Sequence, residues 1–144
     1  MVPITWNVND KSTHLNVDLN GYGVNYTGRG KNIEDAVIRT TNPIPLQCRL
    51  FYFEIDIINN DDGRYKTFLD SWGYHSDDGN FFDCSEIEEP YGPTFKTGDT
   101  IGCCLDFRNN TVFYTKNGLN LGIVFRDLKY NELHEKKRQK RFRE

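Results

Sequence analysis

The sequence predicts an all-β antiparallel sandwich, and three observations carry that prediction. Apolar and polar residues alternate at period two over several short stretches, the pattern of strands with one buried and one wet face. Turn dipeptides such as Gly98-Asp99 and Asn117-Gly118 separate those stretches. Before residue 128 no segment shows the apolar period of an amphipathic helix.

Taken in order, HLNVDL (residues 14–19) and GVNY (23–26) are short strand candidates, and TGRGKN (27–32) is a glycine-containing loop before AVIRT (36–40). NPIP (42–45) does not fit a central strand, because its two prolines remove ladder donors. LFYFEIDII (50–58) is the clearest strand: Phe51, Phe53, Ile55 and Ile57 share one face, and Tyr52, Glu54 and Asp56 the other. NNDDG (59–63) turns the chain. In RYKTFLD (64–70), Tyr65, Thr67 and Leu69 alternate with Lys66, Phe68 and Asp70. Residues 100–107 place Ile101, Cys103, Leu105 and Phe107 against Gly102, Cys104 and Asp106. RNN turns the chain into a strand at 111–115. Asn117-Gly118 then forms a two-residue hairpin, both positions tolerating positive φ, and a third strand follows at 121–125.

From Lys129 the character changes. KYNELHEKKRQKRFRE lacks β-formers and an apolar stripe, so a basic helical or disordered tail over 129–144 is expected after a domain over 1–128. The tail holds seven Lys/Arg against three Glu. Residues 1–128 therefore hold −7 of a total net charge of −3. An acidic body argues against nucleic acid as partner, since such a domain would carry its basic face on the fold. No run approaches the roughly 18 apolar residues of a membrane span. MVPITWNVNDK lacks the basic and apolar regions of a signal peptide, so a cytoplasmic protein is expected, with the basic tail also fitting a nuclear address. Cys48, Cys84, Cys103 and Cys104 show no C-x-x-C spacing, which points to reduced structural thiols and not a zinc cluster.

WGYHSDDG (72–79) concentrates two aromatics, an imidazole and two carboxylates. On a strand His75 and Asp77 share a face that Asp78 does not, and the stretch lacks the terminal Glu of a calcium loop. No metal site, cofactor or catalytic residue is expected. No nucleophile motif accompanies His14, His75 or His134, which disfavours a metal-dependent hydrolase. What remains is a set of aromatic and glycine-rich loops on a rigid scaffold, the usual place for recognition in sandwich proteins.

RTTNPIP, FYFEIDI, WGYHSDDGNFF, PYGPTFKTGDTIGCCLDF and NNTVFYTKNGLNLGIVFRDL together resemble the SPRY domain. The resemblance is closest to the subgroup found in Ran-binding protein M and related scaffold subunits of a ubiquitin-ligase complex. WNVNDK and YTGRGKN fit the same subgroup, and the similarity runs over about residues 6–128. It implies a bent two-sheet antiparallel sandwich and protein binding through loops at one edge, without a cofactor. Carried over by position, the rim comprises Tyr26, Gly28, Arg29 and Gly30 in a first loop, Trp72 to Asp78 (with Tyr74, His75 and Asp77) in a second, and Tyr91 and Asn117; Tyr91 and Trp72 read equally well as core plugs. The chain departs from the family twice. After FYFEIDI the family has a glycine-rich strand and a loop, whereas here NNDDGRYKTFLD runs almost directly into WGYH. A stretch that includes a core strand is therefore missing, and RYKTFLD, with its charges, is a poor partial substitute. The closing strand after IVFRDL gives way to the basic tail. The expected domain thus lacks one core strand and its closing strand, and the exposed ladders would promote self-association. The implied function is docking a short segment of a protein partner, as scaffold or substrate receptor in ubiquitin ligation. The alternative is an effector acting on a host or immune partner.

Overall fold

The computed structural model describes residues 5–13, 15–26, 36–42, 44–45, 47–58, 65–69, 72–82, 88–126 and 139–142. They form strands and turns, with no helix among them. The first half contains β1 (Trp6–Lys11), β2 (Leu15–Val17), β3 (Val24–Tyr26), β4 (Ala36–Thr40), β5 (Leu50–Asp56) and β6 (Tyr65–Leu69). Then come β7 (Trp72–His75), β8 (Asn80–Phe82), β9 (Glu88–Pro90), β10 (Thr100–Asp106), β11 (Thr111–Lys116), β12 (Leu119–Arg126) and β13 (Gln139–Phe142).

One sheet has the order β12-β11-β10-β5. It arises where period-two alternation and turn chemistry agree. Asn117 and Gly118 adopt φ of 52° and 82°, the left-handed pair that joins β11 to β12 with matching twist. Ile101 pairs with Ile55, Cys103 with Phe53 and Tyr114, and Leu105 with Phe51 and Val112, so one face is continuously apolar. The opposite face of β10 is covered as well: Cys104 is buried too, and burial pushes its thiol above its ordinary pKa.

The other sheet has the order β1-β4-β13-β6-β7-β8-β9. Here the structure corrects two expectations. RYKTFLD does form a strand: β6 pairs with β7 from Lys66↔His75 to Leu69↔Trp72. Within the tail, residues 139–142 are neither helix nor disordered. They form β13, paired with β4 from Gln139↔Arg39 to Phe142↔Ala36 and with β6 from Gln139↔Phe68 to Phe142↔Tyr65. The physical reason is backbone satisfaction. An opening between β4 and β6 would leave two rows of N–H and C=O groups unpaired, and any extended backbone satisfies them whatever its side chains. The sheet is therefore continuous through both places where a strand was expected to be missing.

Tyr74 and Phe81 from this sheet meet Ile101, Cys103, Leu105, Val112 and Tyr114 from the other in one core, with Phe95 and Ile57 completing it. A smaller cluster of Leu15 and Ile38, backed by Trp6, Val17 and Val24, lies under the β2–β3 hairpin.

Candidate functional site: a turn cluster over an aromatic core

The stretch 72–79, read from sequence as a loop, is a strand followed by a turn. Trp72–His75 is β7, paired on both sides with β6 and β8. Tyr74 is 0% exposed. Its ring packs against Tyr91, Phe95 and Tyr114 at centroid distances of 5.4, 5.0 and 5.4 Å, and its hydroxyl donates to the Pro93 carbonyl. Burial holds this hydroxyl far above the ordinary tyrosine pKa. Tyr74 is thus a core residue and offers a partner no surface, correcting its expected place on the rim. The same applies to His75, 2% exposed.

Tyr91 ties the loop to the smaller sheet. Its hydroxyl accepts from the Tyr114 amide at 3.0 Å and donates to the Gly122 carbonyl at 2.7 Å, where β12 carries a bulge. Burial pushes its pKa up to about 12. Of its two readings, the packing favours the core plug.

After His75 the chain turns through Ser76, Asp77 and Asp78 to Gly79. Gly79 has φ of 73°, and a Cβ there would run into the Gly92 carbonyl oxygen. Its own carbonyl accepts from the amides of Tyr91 and Gly92 at 3.2 and 3.0 Å. The Ser76 carbonyl accepts from the Phe95 amide at 3.0 Å, so the 76–79 turn and the 91–95 loop are one hydrogen-bonded unit. Asp77 and Asp78 point to solvent from it. Because residues 76–78 turn, Asp78 does not lie on the face opposite His75, as a strand would have placed it. Its Oδ1 is 3.6 Å from His75 Nδ1. Glu88 of the edge strand β9 approaches the same nitrogen at 3.6 Å, a residue the sequence reading passed over. The available signal was the stretch between Lys66 and Lys96, which holds seven Asp/Glu and no Lys or Arg.

Asn117 completes this end of the molecule. Its Oδ1 accepts from the Thr100 amide at 2.8 Å, and its Nδ2 donates to Asp99 Oδ1 at 3.0 Å. Lys116 donates to the Thr94 carbonyl at 3.0 Å. Asp99 also accepts from the Lys96 amide. The Asn117 hydrogen bond, then that amide, hold its carboxyl below the usual carboxylate value. Of the remaining expected rim positions, Tyr26 ends β3 and Trp72 begins β7, while Gly28, Arg29 and Gly30 lie outside the described residues.

The arrangement is a set of hydrogen-bonded turns. It presents three turns, locked to one another over a common aromatic core. The family model for the SPRY domain matches residues 40–134, which span most of the strands that build both the core and the turn cluster. This chain belongs to the SPRY family. Ran-binding protein 10 of Danio rerio is 42% identical over 147 residues, covering 90% of this chain and 24% of that protein. The Ran-binding proteins 9/10 homolog of Drosophila melanogaster is 44% identical, covering 88% of this chain and 15% of its own length. The chain thus spans a quarter or less of the length of these two relatives. Among solved structures, the SPRY domain of human HERC1 superposes with a TM-score of 0.73 at 18% identity, covering 95% of this chain and 89% of that one. That likeness supports the sandwich.

Proposed function

We propose that this SPRY protein is an interaction module that docks a short segment of a protein partner on its turn cluster. The observation that carries the reading is the cross-bonding of the 76–79 turn, the 91–99 loop and the 116–118 turn. Such a surface loses little conformational freedom on binding, so contact energy is retained as affinity. Family membership and the Ran-binding relatives support the same reading. A scaffold or substrate-receptor role in ubiquitin ligation is the finer proposal, and it rests on the subgroup that the sequence motifs resemble.

The test is affinity capture with the full chain, reduction of a captured partner to a synthetic peptide, and titration of that peptide. Asp77→Ala, at an exposed side chain of the 76–79 turn, is expected to weaken binding by roughly 1–3 kcal/mol, the scale of a truncated interface anchor, with an unchanged circular dichroism spectrum. Substituting the exposed Ile123 in β12 is expected to leave affinity alone. A peptide whose affinity follows Ile123 and ignores Asp77 would move the docking surface to the smaller sheet.

A further inference from the structure

We infer that β5 is a docking edge for a second copy of this chain: two β5 strands pair antiparallel about a two-fold axis and join the four-stranded sheets of two molecules. The inference does not depend on the docking function proposed above.

Among the described residues the two large sheets end on β1, β9, β12 and β5. The first three carry features that hinder further pairing. β1 breaks register between Trp6 and Lys11. β9 is three residues long, holds two glutamates and ends on Pro90. β12 is bulged, with Gly122 at φ of 98°, and the Gly122 carbonyl is already held by the Tyr91 hydroxyl. β5 differs from all three. It is seven residues long, has no proline or lysine, and keeps one unbroken register with β10 from Leu50↔Asp106 to Asp56↔Thr100.

The other side of β5 is an open ladder. The Phe107 amide donates to the Arg49 carbonyl at 2.9 Å, and the Ile57 amide to the Asp99 carbonyl at 3.0 Å. Antiparallel alternation then turns the backbone groups of Phe51, Phe53 and Ile55 toward β10. Those of Leu50, Tyr52, Glu54 and Asp56 point the other way, where no strand stands among the described residues. Side-chain burial is unfinished at the same edge. Ile101, Cys103 and Leu105 of β10 are at most 1% exposed, but their β5 neighbours Ile55, Phe53 and Phe51 are only half-buried. A strand added here covers apolar side chains as well as backbone.

The strand's own pattern selects the occupant. Paired with its copy about Phe53, β5 sets Phe53 opposite the partner's Phe53 and Phe51 opposite the partner's Ile55 on the inner face. On the outer face Tyr52 meets the partner's Glu54, and Leu50 meets the partner's Asp56. All seven positions are matched and no carboxylate faces another. A slip of two residues one way sets Glu54 against the partner's Glu54, like charges that repel. A slip the other way leaves Ile55 and Asp56 beyond the end of the partner's strand. Tyr52 is already ordered for its contact. Its hydroxyl bonds to Glu54 Oε1 and Thr115 Oγ1, each at 2.8 Å, and it lies over Gly102, where a Cβ would collide with that hydroxyl. The junction is one strand wide, so the dimer forms weakly and reversibly.

The experiment is sedimentation velocity on the full chain under reducing conditions, from low micromolar to near-millimolar concentration. The expected result is a reversible monomer–dimer equilibrium. Glu54→Pro places a ring on an amide that faces the open edge and removes no bond to β10, so it is expected to leave the chain monomeric with the wild-type circular dichroism spectrum. A charge pair at the exposed Leu50 keeps the inference testable if that proline disturbs the fold. Leu50→Lys, opposite the partner's Asp56, is expected to tighten the dimer by roughly two- to thirtyfold, because two symmetry-related pairs change together, and Leu50→Asp to weaken it by a similar factor. A wild-type chain that stays monomeric at every concentration, association that survives a folded Glu54→Pro chain, or a dimer indifferent to the charge at position 50 would each overturn the inference. So would β5 amides that become protected from hydrogen exchange only when an extended peptide from another protein is added, since the edge would then take a foreign strand.

Discussion

In the four-stranded sheet, β10, β11 and β12 follow one another through tight turns, and apolar side chains meet across Phe51–Leu105–Val112, Phe53–Cys103–Tyr114 and Ile55–Ile101. In the seven-stranded sheet, β13 is taken from a basic segment near the end of the chain and sits between β4 and β6. The first sheet is specified by its side chains and its local turns. The second closes around whatever extended backbone can complete its ladders. The difference teaches that two physical requirements, burial of apolar faces and pairing of backbone groups, can recruit strands separately.

The sharpest way to break this comparison is to remove β13. Truncation after residue 138 turns β4 and β6 into edges and abolishes the pairing on both sides of Gln139–Phe142. Each backbone hydrogen bond contributes roughly 0.5–1.5 kcal/mol net, so the loss is on the order of several kcal/mol, against the 5–15 kcal/mol a domain typically holds. Far-UV circular dichroism is expected to show reduced strand content, and light scattering to show oligomers formed through the new edges. A truncated chain with the wild-type spectrum and melting midpoint would show that the ladder closes without these residues.

A smaller effect is expected where the sheets meet. Tyr74→Ala removes a fully buried ring from the centre of the aromatic cluster and is expected to cost about 3–5 kcal/mol in urea denaturation. Tyr74→Phe keeps the ring but leaves the Pro93 carbonyl without its donor, at about 1–3 kcal/mol. If Tyr74→Ala instead left stability intact and abolished partner binding, Tyr74 would be a contact residue and its packing incidental.

These two regions also mark how far the sequence could be read. β5, β10, β11 and β12 were visible because alternation, Asn117-Gly118 and the β-branched or aromatic content all agree. The alternation in RYKTFLD was visible too, but its charges argued for a poor replacement strand, and QKRF carried no strand signal at all. Ladder closure does not select side chains and leaves no trace in local pattern. At the candidate site, Asn117 was legible as turn chemistry. Tyr74 and His75 were misplaced because a run of aromatics reads alike whether it plugs a core or lines a loop. Glu88 became apparent only when β9 was brought beside the turn, a tertiary fact separated from His75 by a whole hairpin.

The smallest effect concerns Asp99, which anchors the hairpin end of the four-stranded sheet. Its carboxylate accepts from Asn117 Nδ2 at 3.0 Å and from the Lys96 amide at 2.8 Å, with Lys116 Nζ 3.8 Å away. These contacts favour the ionised form and lower its pKa from the ordinary 3.8. A carboxyl group with a depressed folded-state pKa stabilises the fold fully above its unfolded value, and that contribution disappears as the pH falls through the folded value. Asp99→Asn is therefore expected to destabilise the chain at neutral pH by under about 1 kcal/mol, the scale of a partly exposed charged contact. The gap from wild type should shrink below pH 3.8 and close at more acid pH. Urea midpoints measured across that range decide it. A gap that persists unchanged in acid would assign the effect to hydrogen-bond geometry and not to charge, and would make this turn, like the ladder at β13, indifferent to the side chain's ionisation.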